Sequence, residues 1–282
     1  MTGYPIIGCF MDYVPDYYHP GSQLSAKIVN HDGLVIDASY TVVDAFTPFT
    51  MSQVLVVQTN HKSQSRIILK VYDPRFFSHR FKGRIQRPWS YHAEKEAVRQ
   101  RAAPNEPFNF VFPLEIPDDD DKVGWEEWYY QQTEVAANRE VTAYRHLTPL
   151  QGKGIPECFG SGTLNLTGRA ITPRVLLLEY LPHAQTLKAI AADLITQPII
   201  DSLITTASCF GPLGVTHSDP NTGNFLFVVG QDGAVCRAVI VDFGSSYFRE
   251  EESDEDWALI VRQQADVQFL KLRLKAKLRE MG

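Results

Sequence analysis

Between residues 33 and 72 the apolar positions come in short dense runs, "LVIDASYTVVDAF", "QVLVVQT" and "SRIILKVYD", separated by "TPFTMS" and "NHKSQ". Runs rich in Val, Ile, Leu and Thr between such breaks predict three strands joined by turns, an antiparallel meander. The period then changes. In "WEEWYYQQTEVAANREVTAYRHL" (125–147), Val135, Val141, Tyr144 and Leu147 recur at near-helical spacing, and the Pro and Gly of "TPLQGKGIPECFG" end the helix. "RVLLLEYL" (174–181) reads as a fully buried strand, and "TQPIIDSLITTASCF" places Ile199, Ile200, Leu203 and Ile204 on one helical stripe. "FLFVV" and "AVIVDF" flank the turn "GQDG" as two short strands. The closing stretch has one mainly apolar face, Trp257, Ile260, Val261, Gln264, Val267 and Leu270, which predicts a helix. Ser253 is its N-cap, with Asp254, Glu255 and Asp256 in the first turn.

Two stretches lack this patterning. Residues 1–32, rich in Tyr, Pro and Gly, read as a loosely ordered lead-in. Residues 73–122 are polar and proline-punctuated and read as a surface insertion ending in a solvated acidic loop, "PDDDDK". That acidic run lacks the glycine and terminal glutamate of a calcium-binding EF-hand loop, so no calcium site is expected there.

A hydrophobic content of 44% with 21% charged residues over 282 positions is that of a globular chain with a substantial core. The formal net charge of −6 argues against a global basic surface for nucleic acid or anionic membrane. The cationic end of the last helix, Lys271, Arg273, Lys275, Lys277 and Arg279, first serves its dipole and is the one feature favouring an RNA partner. Cys9, Cys158, Cys209 and Cys236 form no CxxC pair, so neither a zinc site nor a disulfide framework is expected. No secretory pattern opens the chain and no apolar run is long enough to span a bilayer, so a cytoplasmic location, or a nuclear one, is expected, with no membrane partner.

The candidate chemistry lies in "GVTHSDPNTGNFLF" (214–227) and, shortly after it, "VIVDFGSS". Taken singly, each polar residue has a plain structural role: Lys70 as an exposed strand lysine, Asp242 as a turn cap, Asn224 at a left-handed bend. Taken together and in order they resemble the protein-kinase-like superfamily, whose signature joins a strand lysine, a helix glutamate, HxDxxxxN and DFG. His217, Asp219 and Asn224 match HxDxxxxN; Asp242, Phe243 and Gly244 match DFG; Lys70 in "IILKVYD" matches the strand lysine. Glu140 is the first choice for its helix partner and Glu134 the second. "LLLEYL" resembles the hinge, whose backbone at Glu179 and Leu181 would meet an adenine edge.

The resemblance spans roughly residues 35–275. It implies an α+β, two-lobed protein-kinase-like fold: an N-terminal extension over 1–32, a strand-rich N-lobe over 33–181 with an insertion at about 73–124, and a reduced, mainly helical C-lobe over 182–282. It further implies an ATP- and Mg²⁺-dependent phosphotransferase. Lys70, held by Glu140, would bind nucleotide phosphates; Asn224 and Asp242 would hold Mg²⁺; Asp219 would accept the proton of an acceptor hydroxyl; His217 would brace the loop. Asp266 is either a loop-bracing helix aspartate or an exposed helix acid.

Two departures shape the expectation. "TPFTMS" stands where the glycine-rich phosphate loop would be, and the 40 residues after Asp242 contain no APE-like sequence. The chain is therefore similar to compact atypical kinases, such as Rio-type kinases, the small kinases of tRNA-modification complexes and kinase-like proteins of filamentous fungi. "HSDPNTGN" also lacks the Arg and Lys that mark peptide kinases, so the acceptor is either a small molecule or a protein hydroxyl. The alternatives are a pseudokinase acting as a nucleotide-binding scaffold, or a related fold performing another transfer, of AMP or from aminoacyl-tRNA as in fungal arginine cyclodipeptide synthases.

Overall fold

The computed structural model describes residues 16–59, 65–82, 84–102 and 115–279. Cys9 and the turn expected at "NHKSQ" (60–64) lie outside them. The chain divides into two compact units, one comprising Met1–Ala137 with Phe159–Leu178, the other Asn138–Cys158 with Glu179–Gly282.

The first unit is built on a closed barrel of six strands in the order β1-β2-β3-β4-β6-β5: β1 Gln23–Val29, β2 Val35–Phe46, β3 Gln53–Thr59, β4 Arg66–Tyr72, β5 Cys158–Asn165 and β6 Arg174–Glu179. β2, β3 and β4 form the antiparallel meander expected from their sequence, in registers that pair Val42 with Val57 and Leu55 with Leu69. β1 alternates exposed and buried positions strictly, sending Leu24, Ala26 and Ile28 into the core with Tyr40, Leu55 and Leu164.

The closure corrects the expected architecture. A two-lobed protein-kinase-like fold is not what this chain adopts: its main sheet is a closed six-stranded barrel, and five α-helices are present among the described residues. Residues expected as a lead-in supply β1, and "RVLLLEYL", read as a fully buried strand, contributes barrel strand β6. Glycine allows the last seam to close. Ile28 of β1 sits opposite Gly162 of β5, where a Cβ would collide with the Lys27 carbonyl oxygen.

The stretch expected as a polar surface insertion holds charge inside the first unit. Asp73 is fully buried and is met by Arg75 (2.6 Å), Arg169 (2.8 Å) and the Tyr18 hydroxyl (3.0 Å). Arg169 also pairs with Glu94 (2.6 Å) on α1, Tyr91–Arg101, and Glu94 accepts from the Trp89 indole. A second buried pair joins Arg80 to Glu126 (2.5 Å) on α2, Lys122–His146. Each carboxylate has a full set of donors, which is the condition for charge to persist in a dry interior. The acidic run is partly engaged as well: Asp119 pairs with Arg87 (2.6 Å), and Asp121 accepts from the Gly124 amide in the first turn of α2.

The second unit contains a three-stranded sheet, β10-β9-β7, and a two-stranded ribbon, β11-β8. Its strands are β7 Ala184–Thr186, β8 Val215–Thr216, β9 Phe225–Val229, β10 Val235–Ile240 and β11 Tyr247–Phe248, and its helices include α3, Gln197–Ser208. The single closing helix expected from the apolar stripe is two, α4 Asp254–Gln264 and α5 Asp266–Leu278. Ala265 between them is left-handed (φ 54°) and caps α4 through its amide to Val261 O (3.1 Å). Ser253 caps the start of α4 as expected, its hydroxyl accepting from the Asp256 amide (3.1 Å).

The buried cluster predicts a pH signature. Burial alone would raise the Asp73 carboxyl, but Arg169 and Arg75 outweigh it and hold the group at about 2, against an ordinary 3.8. A depressed acid stabilises fully above its unfolded pKa and loses that contribution as pH falls through the folded value. Urea denaturation at stepped pH should give a stability gap between wild type and Asp73→Asn that shrinks by about 2 kcal/mol between pH 4 and pH 2. A gap constant across that window would contradict the assignment.

Candidate functional site

Two antiparallel pairings align the loops that carry the sequence motifs. Ile240 pairs with Phe225 where β10 meets β9, and Tyr247 pairs with Thr216 where β11 meets β8. Residues 217–224 and 241–246 are thereby secured at both ends within the second unit. Cross-bonds complete the pairing: the Val241 amide donates to Asn224 O (3.0 Å), and His217 Nε2 meets Val241 O at 2.9 Å. His217 Nδ1 accepts from the Asp219 amide (3.3 Å), so one ring nitrogen accepts while the other donates, as in a single tautomer. His217 is buried and acts as the brace expected of it.

Asp266 fixes the same loop from below. Its carboxylate accepts from the amides of His217 (2.6 Å) and Ser218 (3.0 Å), which decides between the two sequence readings in favour of the brace. The left-handed break at Ala265 turns the chain so that Asp266 opens α5. Behind the second loop, Phe243 is fully buried against Phe210, His217 and Tyr144, with ring centroids 5.0–5.7 Å apart.

Asp219 is half-buried and fixed through one carboxylate oxygen. Oδ2 accepts from Asn221 Nδ2 (3.0 Å) and Asn224 Nδ2 (3.1 Å), and Asn224 Nδ2 also donates to Asp219 O (2.9 Å). Asn221 was not singled out by the sequence reading. Its signal is "NTG", in which the Asn221 side-chain oxygen accepts from the Gly223 amide (2.8 Å) in a tight turn. Because the Asn224 amide nitrogen is committed to Asp219, Oδ1 is the atom it can offer a cation. Asp242 stands one residue beyond Val241 at φ 68°, and Ser218 lies at φ 61°. Left-handed backbone costs a non-glycine residue roughly 1–2 kcal/mol, and such strain concentrates at functional sites.

The remaining expected residues lie outside these two loops in sequence. Lys70 is buried on β4 in the first unit, its Nζ 5.6 Å from the Tyr72 ring centroid. Glu134, also in the first unit, faces Arg174 (3.6 Å). Glu140 is fully buried in the second unit on α2. The Glu179 amide donates to Glu157 O (2.8 Å), and its side chain holds Arg237 (2.6 Å). Leu181 is half-buried, and its carbonyl accepts from the Ala184 amide at 3.4 Å. "TPFTMS" is tied down in the first unit, with Phe49 edge-on to Tyr18 and its centroid 6.4 Å from that of Phe76.

Among the described residues no group of three or more His, Cys, Asp or Glu side chains could hold a metal ion. Asp242 and the Asn224 oxygen offer two hard donors. That fits Mg²⁺, which takes one or two protein ligands and completes its shell with phosphate and water, and does not fit a metal held by protein alone. No helix among the described residues is long and apolar enough to cross a membrane. No protein-family model matches the chain, and no curated protein matches it.

Tyr144 is buried beside this site with no hydrogen-bond partner for its hydroxyl among the described residues. Burial, then the charges of Glu140, Cys158, Asp242 and Glu179, push its phenol well above the ordinary range. Tyr144→Phe removes an unpaired polar group, so urea denaturation should show unchanged stability or a gain of up to about 1 kcal/mol. A loss larger than that would mean the hydroxyl is paired in the folded chain.

Proposed function

We propose that the second unit carries the catalytic loops of an ATP- and Mg²⁺-dependent phosphotransferase acting on a hydroxyl of a small molecule or a protein. The observation that carries this reading is the orientation of Asp219. Two amide donors occupy Oδ2, which leaves Oδ1 to receive the proton of an acceptor hydroxyl. Asn224, bonded to Asp219 through its nitrogen, turns its oxygen to the metal role, and Asp242 supplies the carboxylate. Mg²⁺, when bound, supplies charge neutralisation at the phosphate oxygens. Transfer through a loose transition state asks the protein mainly for position and charge, and a loop held by His217 and Asp266 gives position.

A second reading is a nucleotide-binding scaffold without turnover. The anchored Phe49 favours it, because the segment in the place of a glycine-rich loop is held by aromatic packing.

Thermal melting with ATP, with and without Mg²⁺, combined with an assay of ADP formation, separates these outcomes. The phosphotransferase reading expects a Mg²⁺-dependent rise in melting temperature. Asp219→Ala should keep that rise while lowering turnover at least about 100-fold, and Asp242→Ala should remove its Mg²⁺-dependent part. Stabilisation without ADP formation supports the scaffold, and the absence of any ATP effect contradicts both.

A further inference from the structure

The cationic end of α5 is unused by the loops above, and it borders a groove. Lys271, Lys275 and Arg279 follow one another at helical i, i+4, i+8 spacing, a row of positive charges about 6 Å apart along one face. Beneath them Leu274 and Leu278 of α5 meet Ile200 and Ile204 of α3, forming a groove of about 370 Å³. Lys271, Lys275 and Arg279 are exposed, and among the described residues none of them has an ion-pair partner. The lone acid of α5, Asp266, is committed to the His217 and Ser218 amides. Helix-dipole compensation accounts for charge in the last turn but not for Lys271 or for an aliphatic floor.

We propose that this α3–α5 groove docks an acidic amphipathic helix of a partner protein. Charge complementarity and shape select this occupant. A helix laid between two others buries aliphatic anchors at i, i+3, i+4 and i+7, and its flanking glutamates at i, i+4 repeat with the same spacing as the cations of α5. Single-stranded RNA is bound by stacking on aromatic side chains, and no aromatic residue lines the groove. A lipid surface is met by apolar groups that stand proud of the cations. Here the apolar groups form the floor and the cations the rim.

The test is fluorescence anisotropy with a fluorescein-labelled synthetic helical peptide carrying leucines at i, i+3, i+4 and i+7 between flanking glutamates. Saturable binding is expected, weakened by added salt and lost when the leucines are replaced by serine. The double variant Lys271→Glu/Lys275→Glu should raise Kd at least about tenfold. Both side chains are exposed, so its melting temperature should match the wild type. No peptide binding, or equal binding by the charge-reversed variant, overturns the proposal. So does a result in which a single-stranded RNA or an anionic phospholipid vesicle binds through Lys271 and Lys275 while the peptide does not.

Discussion

The geometry of the second unit depends on one carboxylate. Asp266 accepts the backbone amides of His217 and Ser218, at 2.6 and 3.0 Å, and so fixes the start of the loop that carries Asp219 and Asn224. Charge-assisted bonds of this kind are about twice as strong as neutral ones. They hold Ser218 in a left-handed conformation that a side-chain-bearing residue would otherwise leave. The break at Ala265 belongs to the same device, because an uninterrupted helix would start α5 elsewhere and carry Asp266 away from the loop.

From that fixed point the arrangement propagates through His217. Its ring joins the first loop to the second at Val241 and stacks against Phe210, while Phe243 packs edge-on to it. Asp242 is consequently held between a cross-bonded residue and a buried aromatic one. The first unit uses buried charge for another purpose. Asp73, Arg75, Arg169 and Glu94 bind the segment after β4 to the segment between β5 and β6, and no residue of that cluster belongs to the candidate loops.

What was legible in the sequence follows from which forces act locally. The meander β2–β4, the helix α2 and the hairpin β9–β10 each bury a face with its own period, so their positions could be read from apolar spacing. The motif residues His217, Asp219 and Asn224 were legible because a single loop holds all three. The barrel was not, because its closure depends on contacts distant in sequence and on the absence of side chains at Gly162. β5, "CFGSGTLN", has too few large apolar residues to announce a strand. The buried charges of 73–126 misled for a related reason: in sequence, Asp73 and Glu94 look solvated, and only their arginine partners make burial tolerable. Asp266 could be suspected from sequence, but its role depended on a helix break at an alanine, a residue that gives no warning of a left-handed turn.

Amide hydrogen exchange measured by NMR in wild type and Asp266→Ala tests the central role of that carboxylate most directly. Losing two hydrogen bonds worth roughly 2 kcal/mol should speed exchange at the His217 and Ser218 amides at least about 30-fold. The amides of the β9–β10 ladder, such as those of Leu226 and Val239, should keep their wild-type protection. Unchanged exchange at residues 217 and 218, or an equal loss across the whole second unit, would contradict the account.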